Sequence, residues 1–144
     1  MTIENFMKNY GLKSRKTVLS WVDNDLLPGA DVENNYVPDS ARPPYTRARA
    51  KKSNAIYVSM VKGAANRRHL LPKLYKMCDD EFNGYIVRLV EAGLIVKRTS
   101  EGITYYDATL KAKDIKGSLI MKVLETSSKG IAEGAVNAII KKLG

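Results

Sequence analysis

The chain has one cysteine and one histidine in 144 residues, and this scarcity excludes several classes of protein. Cys78 alone rules out an internal disulfide and a zinc finger. His69 alone is too little for a histidine-rich zinc site or for the centre of a tyrosine recombinase. We expect Cys78 to be a small packed residue before a helix, with a reactive thiol as the alternative. We expect His69, beside Arg67 and Arg68, to lie at the surface or face phosphate.

Long apolar runs and phosphate-binding glycine motifs are also missing. No stretch approaches the roughly 20 apolar residues of a membrane span, and residues 1–6 lack the features of a signal peptide. The scattered glycines match neither phosphate-loop pattern, and no candidate nucleophile stands in a strand-turn-helix context. We therefore expect a cytoplasmic protein that is not an enzyme, needs no cofactor or metal, and has no membrane partner.

Acidic residues are the third shortage, because 15 Asp and Glu stand against 24 Lys and Arg and leave a net charge of +9. This surplus favours polyanionic partners, nucleic acid first and acidic membrane surfaces second. The stretch 42–52 contains no acid, and its cations are Arg42, Arg47, Arg49, Lys51 and Lys52. Such a run is either a solvated linker or helix face, or a set of phosphate contacts beside a DNA-reading helix.

Apolar spacing at the N-terminus predicts two short helices joined by a turn that contains Gly11. Residues 2–10 place apolar side chains at helical spacing, with Thr2 as the capping residue. Residues 15–25 form the second helix, and Ser14 is placed to cap it. Two helices joined in this way make the helix-turn-helix pattern.

Proline dominates the segment that follows the second helix. Pro28-Gly29 closes the two-helix unit, and residues 36–37 can form only a short strand because Pro38 lacks a backbone donor. Residues 45–46 are predicted to return as the partner strand. The segment is therefore expected to be a proline-rich hairpin, or wing.

A second group of elements is predicted between residues 54 and 113. Helical segments are expected at 54–66, at 70–77 as a short helix or turn, and from residue 79 to Gly93, and two strands at 94–98 and 103–107. The strongest helix begins with the acids Asp79, Asp80 and Glu81, which suit the positive end of the helix dipole. The alternative interpretation is that these acids form a divalent-metal site.

Short motifs between residues 2 and 52 form a recognisable set. They are Thr2-Ile3, Tyr10-Gly11-Leu12, Thr17-Val18, Trp21-Val22, Leu26-Leu27-Pro28-Gly29, Arg42 and Tyr45. This third of the chain resembles the winged-helix head of MerR-type regulators and excisionase-like proteins. The resemblance implies a helix in the major groove, and its groove-facing residues would be Arg15, Lys16, Thr17 and Ser20. It also implies that wing residues Arg42 and Tyr45 hold the flanking DNA backbone.

The segment 80–109 is similar to general winged-helix transcription factors. The similarity lies in Glu-Ala-Gly-Leu-Ile before the hairpin and Tyr-Tyr-Asp-Ala-Thr at its end. The polar residues that could contact a second DNA segment are Asn83, Arg88, Lys97 and Arg98. Alternatively, this unit is structural, because its acidic helix start would repel DNA.

Together these patterns predict a mainly α protein with short β-hairpin wings, an α+β tandem winged helix-turn-helix. Residues 1–53 and 54–113 would be the two winged modules, and residues 114–144 would be C-terminal helices for packing or dimerisation. The last apolar piece, 131–143, could pack on its own domain, form a homodimer contact or touch a membrane surface.

The expected function is sequence-specific binding of double-stranded DNA, as a transcriptional regulator of a phage or mobile element by analogy. One alternative is an excisionase- or relaxosome-type accessory factor that shapes DNA. The other is a helix-turn-helix scaffold, of the inhibitor type, that binds an acidic protein partner.

Overall fold

The described part of the chain consists of helices and one small sheet, which agrees with the predicted α+β class. A computed structural model describes residues 1–113 and 115–128. The elements in chain order are α1 (Ile3–Asn9), α2 (Arg15–Asp23), α3 (Ser53–Ala65), a 3-10 helix (Pro72–Tyr75), α4 (Asp79–Glu91), β1 (Ile95–Ser100), β2 (Ile103–Ala108) and α5 (Gly117–Ser128). β1 and β2 pair as an antiparallel hairpin.

The first two helices follow the predicted helix-turn-helix order. Thr2 caps α1, because its hydroxyl accepts a hydrogen bond of 3.1 Å from the backbone N–H of Asn5. Gly11 follows α1 with a φ of +62°, a left-handed conformation that glycine adopts without steric strain. Ser14 holds the predicted cap position of α2, although its side chain makes no capping hydrogen bond. α2 ends slightly before the predicted boundary.

The prediction of a proline-rich hairpin wing is wrong. Tyr36 pairs with Asp31 in an isolated antiparallel bridge, which closes a small polar turn. Val37 pairs with the first residue: its N–H donates to the carbonyl of Met1, and its own carbonyl accepts from the Met1 amine at 2.7 Å. Tyr45 is hydrogen-bonded to His69 instead. The physical reason is the loss of backbone donors at Pro38, Pro43 and Pro44, which prevents a continuous ladder across this segment.

The helices of the second group lie close to their predicted positions. In α4 the apolar stripe Phe82, Ile86 and Leu89 is buried, whereas Val90, predicted to extend it, is 40% exposed. The three acids at the start of α4 are exposed, as suits a helix N-terminus. Cys78, expected to be packed, is also exposed.

The β1–β2 hairpin turns tightly at Glu101 and Gly102. Both residues have positive φ, +55° and +76°, which matches the right-handed twist of the flanking strands. The register pairs Ile95 with Ala108 and Ser100 with Ile103. Ile95 and Tyr106 share one face of the hairpin and belong to the larger apolar core, whereas Ile103 is buried on the opposite face.

The described residues form two apolar cores. The first is formed by buried residues of the N-terminal third, namely Ile3, Phe6, Val18, Leu27, Val37 and Ala41. The second is larger and draws on α3, α4, the hairpin and α5. Polar contacts join the two regions, since Lys73 donates to the carbonyl of Asn24 at 2.8 Å and Ser40 donates to the carbonyl of Ser100 at 3.2 Å. The proposed module boundaries at residues 53 and 113 stay a prediction.

α5 belongs to the second core rather than to a separate C-terminal unit. Its side chains Ile120, Val123 and Leu124 are at most 1% exposed. Of the uses considered for residues 114–144, packing on the protein's own core therefore holds for α5. The apolar piece 131–143, with its dimer and membrane alternatives, lies outside the described residues.

Candidate nucleic-acid interface

The polar face of α2 is open to solvent, as predicted. The residues expected to face the DNA groove, Arg15, Lys16, Thr17 and Ser20, are all exposed. Lys16 and Ser20 lie four residues apart and therefore occupy the same side of the helix. Thr17 and Trp21 are also four residues apart, so the half-buried indole of Trp21 borders this exposed face. Val18 anchors the opposite side and is fully buried.

Arg15, one of the predicted groove residues, has a carboxylate partner. Its guanidinium forms an ion pair and hydrogen bond with Glu4 of α1. Glu4 also accepts a hydrogen bond of 3.0 Å from the side-chain amide of Asn35. The bond from Asn35 is the main cause that lowers the pKa of Glu4, and the Arg15 charge lowers it further. Glu4 therefore stays ionised and holds Arg15 at the α1–α2 junction.

Arg42 is not available as a wing clamp, so this prediction is wrong. The side chain is buried, with 6% of the residue exposed. It donates a hydrogen bond of 2.7 Å to Asp107 of β2, and its guanidinium lies 4.3 Å from the ring centre of Tyr105. A buried arginine needs such partners because its charge cannot be removed by deprotonation. Arg42 joins the N-terminal region to the hairpin instead of facing phosphate.

Tyr45, the second predicted wing residue, is half-buried and held on both its backbone and its ring. Its N–H donates to the carbonyl of His69 at 3.0 Å, while the N–H of His69 donates to the carbonyl of Pro43 at 2.8 Å. Its ring lies so close to Gly63 of α3 that a Cβ there would be 2.9 Å from a ring carbon. Tyr45 is therefore a fixed wall residue, and only its outer side can meet a ligand.

His69 is a buried residue, contrary to the expectation that it lies at the surface or faces phosphate. It is 1% exposed, and neither ring nitrogen has a hydrogen-bond partner in the described part of the protein. Burial, with a smaller contribution from the charge of Arg42, lowers the pKa of His69 to about 4. The imidazole is thus neutral at pH 7 and serves the packing beneath residues 43–45.

The arginines divide into two groups by their partners. Those held by a carboxylate or by a tyrosine hydroxyl are Arg15, Arg42, Arg98 and Arg88. Those without a carboxylate partner among residues 1–113 and 115–128 are Arg47, Arg49, Arg67 and Arg68. The second group comes from two segments that the parallel bridge between Pro44 and His69 holds side by side. The fold therefore gathers these guanidinium groups on adjoining segments.

A cleft of about 480 Å³ separates α2 from these two segments. Its lining residues are Leu12, Trp21, Pro43, Pro44, Tyr45, Thr46, Arg47, Asn66 and Arg68. Two of them are cations and none is an acid. Arg68 also stacks over Tyr10 of the α1 C-terminus, with 5.8 Å from its guanidinium carbon to the ring centre. The cleft is thus a cationic and aromatic depression beside the exposed face of α2.

The remaining predicted phosphate contacts are exposed but lie around other depressions. Arg49 and Lys51 line a groove of about 650 Å³ whose apolar residues include Leu74 and Met77. Lys52 stands at the start of α3 and is exposed. The basic run 42–52 is therefore not one continuous charged strip, because Arg42 is buried and the others face different grooves.

The predicted second contact region on α4 and the hairpin is only partly free. Asn83 and Lys97 are exposed, whereas Arg88 donates a hydrogen bond of 2.8 Å to the Tyr57 hydroxyl. Arg98 is exposed but donates a hydrogen bond of 3.0 Å to Asp107. Arg98 and Arg67 line a common depression of about 560 Å³ next to residues 107–113. Arg67 and Arg68 thus connect this region to the cleft beside α2.

Sequence reasoning missed Arg68, Asn66 and Trp21 as members of one site. In the sequence, Arg67-Arg68 stands out only as the neighbourhood of His69, and Trp21 only as part of a motif that resembles a known family. The available signal was the basic pair itself, which follows a helix and precedes an apolar run. The placement beside Tyr45 depends on the bridge between Pro44 and His69, which is a long-range contact that no local pattern indicates.

No protein-family model, curated protein or solved structure matches the chain. Within the described ranges, no group of three His, Cys, Asp or Glu residues is placed to hold a metal ion. No helix in those ranges is long and apolar enough to cross a bilayer. The function has to be inferred from the arrangement of the side chains described above.

Proposed function

We propose that the protein binds duplex DNA through the exposed face of α2 and the arginines next to it. The observation that carries this proposal is that Arg47 and Arg68 lie beside Trp21 of α2 without carboxylate partners in the described residues, with Arg49 and Arg67 on the same two segments. Other arginines of the chain are held by acids or by tyrosine. Arginines that have no carboxylate partner in the described residues suit an external polyanion.

The helix α2 supplies the element that reads the sequence. In helix-turn-helix proteins the second helix lies in the major groove and contacts bases with its N-terminal residues. Lys16, Thr17 and Ser20 occupy these positions and are exposed. A lysine and two hydroxyl groups can donate to or accept from base edges in the major groove. Arg15 is held by Glu4, so in this proposal it contributes less than the resemblance implies.

The polar turn 31–36 is the part of the N-terminal region least suited to phosphate. It carries Asp31 and Glu33, and Tyr36 donates a hydrogen bond of 3.3 Å to Glu101 of the hairpin turn. These acids would repel a DNA backbone. We therefore assign the backbone contacts to the arginines around the cleft instead of to a wing.

The finer architecture, two winged helix-turn-helix units in tandem, is part of the same proposal. The order of elements supports it. Two helices and a turn come first, and they are followed by a helix, a 3-10 helix, a helix and a hairpin. In this view α2 reads the DNA, and Arg67, Lys97 and Arg98 of the second unit extend the backbone contact. Sequence-specific binding by a small basic protein suits a transcriptional regulator, and that is the role we propose.

A binding titration on duplex DNA over a salt series tests the proposal. Each phosphate contact contributes close to one unit to the slope of log affinity against log salt, so several arginine contacts give a steep slope. Arg47→Gln should weaken binding to all duplex sequences and reduce that slope by about one. Lys122→Gln, which removes one charge from the exposed side of α5, is the matched control and should leave the slope unchanged. A folded protein that binds duplex DNA with no salt dependence, or not at all, contradicts the proposal.

Selection of bound sequences from a random duplex pool tests the reading role of α2. Lys16→Ala should relax the selected motif, whereas Arg47→Ala should leave the motif unchanged and lower the affinity. A symmetric motif would reveal a two-fold dimer on the DNA and give its half-site spacing. Loss of the same motif positions in both variants would contradict the proposed division between reading and backbone contact.

A further inference from the structure

We infer that the cleft lined by Trp21, Tyr45, Arg47 and Arg68 binds one unpaired nucleotide, with its base on the aromatic side chains and its phosphate between the arginines. This inference concerns a different surface from the groove-facing residues Lys16 and Ser20. It does not require that α2 reads duplex DNA. The ligand is defined by its chemistry, a planar base joined to an anionic phosphate.

The positive charge of the cleft favours the binding of an anion. Arg47 and Arg68 both line it, no acid lines it, and neither arginine forms an ion pair in the described part of the chain. Two guanidinium groups on one concave surface repel each other and raise the local positive potential. A phosphate between them relieves this repulsion and accepts charge-assisted hydrogen bonds from both.

The aromatic walls favour a planar group next to that phosphate. Tyr45 is held by the backbone pairing with His69 and by the close approach of its ring to Gly63. Trp21 is half-buried on α2, packs against the N-terminal apolar core and lines the same cleft. Because Tyr45 is held in place and Trp21 packs against the core before binding, little conformational entropy is lost when a base packs on these rings. Stacking on aromatic side chains is available to every base, so this contact sets no strong sequence preference.

The volume of the cleft and its lining residues restrict the chemical class of the ligand further. The volume of about 480 Å³ lies in the range of small-ligand pockets. Pro43 and Pro44 add apolar surface, and the side-chain amide of Asn66 offers a donor and an acceptor for a base edge. An inorganic phosphate would leave the rings uncovered, and an apolar ligand would leave the arginines without an anion. Bases stacked within a duplex cannot reach the rings, so the nucleotide must be unpaired.

The fluorescence of Trp21 reports directly on this cleft, because Trp21 is the chain's single tryptophan. The titrants are deoxyadenosine 5′-monophosphate, deoxyadenosine, inorganic phosphate, and a single-stranded deoxyadenosine oligomer of about ten nucleotides. Excitation at the red edge of the tryptophan band, with a free tryptophan standard, corrects for absorption by the base. We expect saturable quenching by the nucleotide and by the oligomer, and at least about tenfold weaker effects of deoxyadenosine and of phosphate.

Variants identify which side chains hold the ligand. Arg68→Gln and Arg47→Gln should each weaken nucleotide binding roughly tenfold or more, since a hydrogen bond to a charged group is lost. Lys122→Gln removes the same charge from α5 and should change the affinity less than about twofold. Arg47 is exposed, so its substitution keeps the test valid if Arg68→Gln, which also removes the stacking on Tyr10, fails to fold. Trp21→Leu should weaken binding of a dye-labelled oligomer, read by anisotropy, by roughly five- to hundredfold.

The results distinguish single-stranded nucleic acid from a free nucleotide as the ligand. They also distinguish failure of this inference from failure of duplex binding. Tighter binding of the oligomer than of the mononucleotide identifies single-stranded nucleic acid, and equal binding per nucleotide identifies a free nucleotide. Equal effects of phosphate and nucleotide would reduce the cleft to a general anion site and overturn the inference. Quenching by deoxyadenosine equal to that by the nucleotide, or no quenching at all, would overturn it as well. The duplex titration above is measured on the same protein, so either proposal can fail while the other stands.

Discussion

Arg42 and Asp107 lie 65 positions apart in the chain and are joined by a hydrogen bond of 2.7 Å between guanidinium and carboxylate. Asp107 also accepts a bond of 3.0 Å from Arg98, so one carboxylate serves two arginines. Arg42 is buried and Arg98 is exposed. The contact ties residues 38–45 to the hairpin and thereby fixes one border of the cleft beside α2.

Asp107→Asn should lower the free energy of unfolding by about 3 kcal/mol, because it leaves the buried charge of Arg42 without a counter-charge. Arg98→Gln removes only the exposed partner of the same carboxylate and should cost less than about 1 kcal/mol. Urea unfolding followed by circular dichroism measures both. Equal losses of unfolding free energy in the two variants would mean that the buried ion pair stabilises the protein no more than the exposed one.

Stability should fall with acidity because His69 is buried in its neutral form. Its pKa is lowered from the ordinary 6.5 to about 4, so the unfolded chain binds a proton that the folded protein does not. This contribution is complete above pH 6.5 and is lost as the pH falls through 6.5 toward 4, by roughly 3 kcal/mol in all.

The variant His69→Leu isolates this effect, because carboxylates titrate alike in both proteins and cancel in the difference. The difference in unfolding free energy between variant and wild type should move in favour of the variant from pH 7 to pH 4. Since the two ring nitrogens have no hydrogen-bond partner within the described residues, the loss at pH 7 should be small. A difference that stays constant over this pH range would show that folding does not lower the pKa of His69.

Gly63→Ala should destabilise the protein by about 1 to 3 kcal/mol and displace the ring of Tyr45. A Cβ at this position would lie 2.5 Å from a methyl carbon of Leu70 and 2.9 Å from the Tyr45 ring, both too close for ordinary contact. Gly84→Ala is the matched control, because it also lies within a helix and has nothing within 4 Å. That control should stabilise α4 by about 1 kcal/mol through helix propensity. Thermal unfolding of both variants measures these effects. If both variants were more stable than the wild type, Gly63 would not lie as close to Leu70 and Tyr45 as described.

Glu4→Gln should tighten duplex DNA binding if α2 faces the groove. The substitution removes the carboxylate that pairs with Arg15 and frees a positive charge at the start of α2. We expect a higher affinity and a salt slope steeper by about one. Glu91→Gln, at the exposed end of α4, makes the same change of charge elsewhere and should have little effect. Equal gains in the two variants would indicate a general charge effect without a defined contact.

Local patterns were sufficient for most of the helices and for the second hairpin. Thr2, Gly11 and Gly93 mark helix boundaries through capping and left-handed φ, which depend on neighbouring residues only. The β1–β2 hairpin was recognisable because Glu101-Gly102 stands between two strand-like runs. The exposed face of α2 also followed from periodicity, since its apolar side fixes which side remains polar.

Helix periodicity, capping and net charge are local or additive properties, so the amino-acid order was enough to predict a basic α+β protein whose second helix presents a polar face. The partner of each cation depended on the folded arrangement of distant segments. That arrangement buried Arg42 against Asp107, held Arg15 with Glu4, and brought Arg68 beside Trp21. These outcomes depend on pairings between distant segments, above all Pro44 with His69, where proline removed the local ladder that the pattern had suggested.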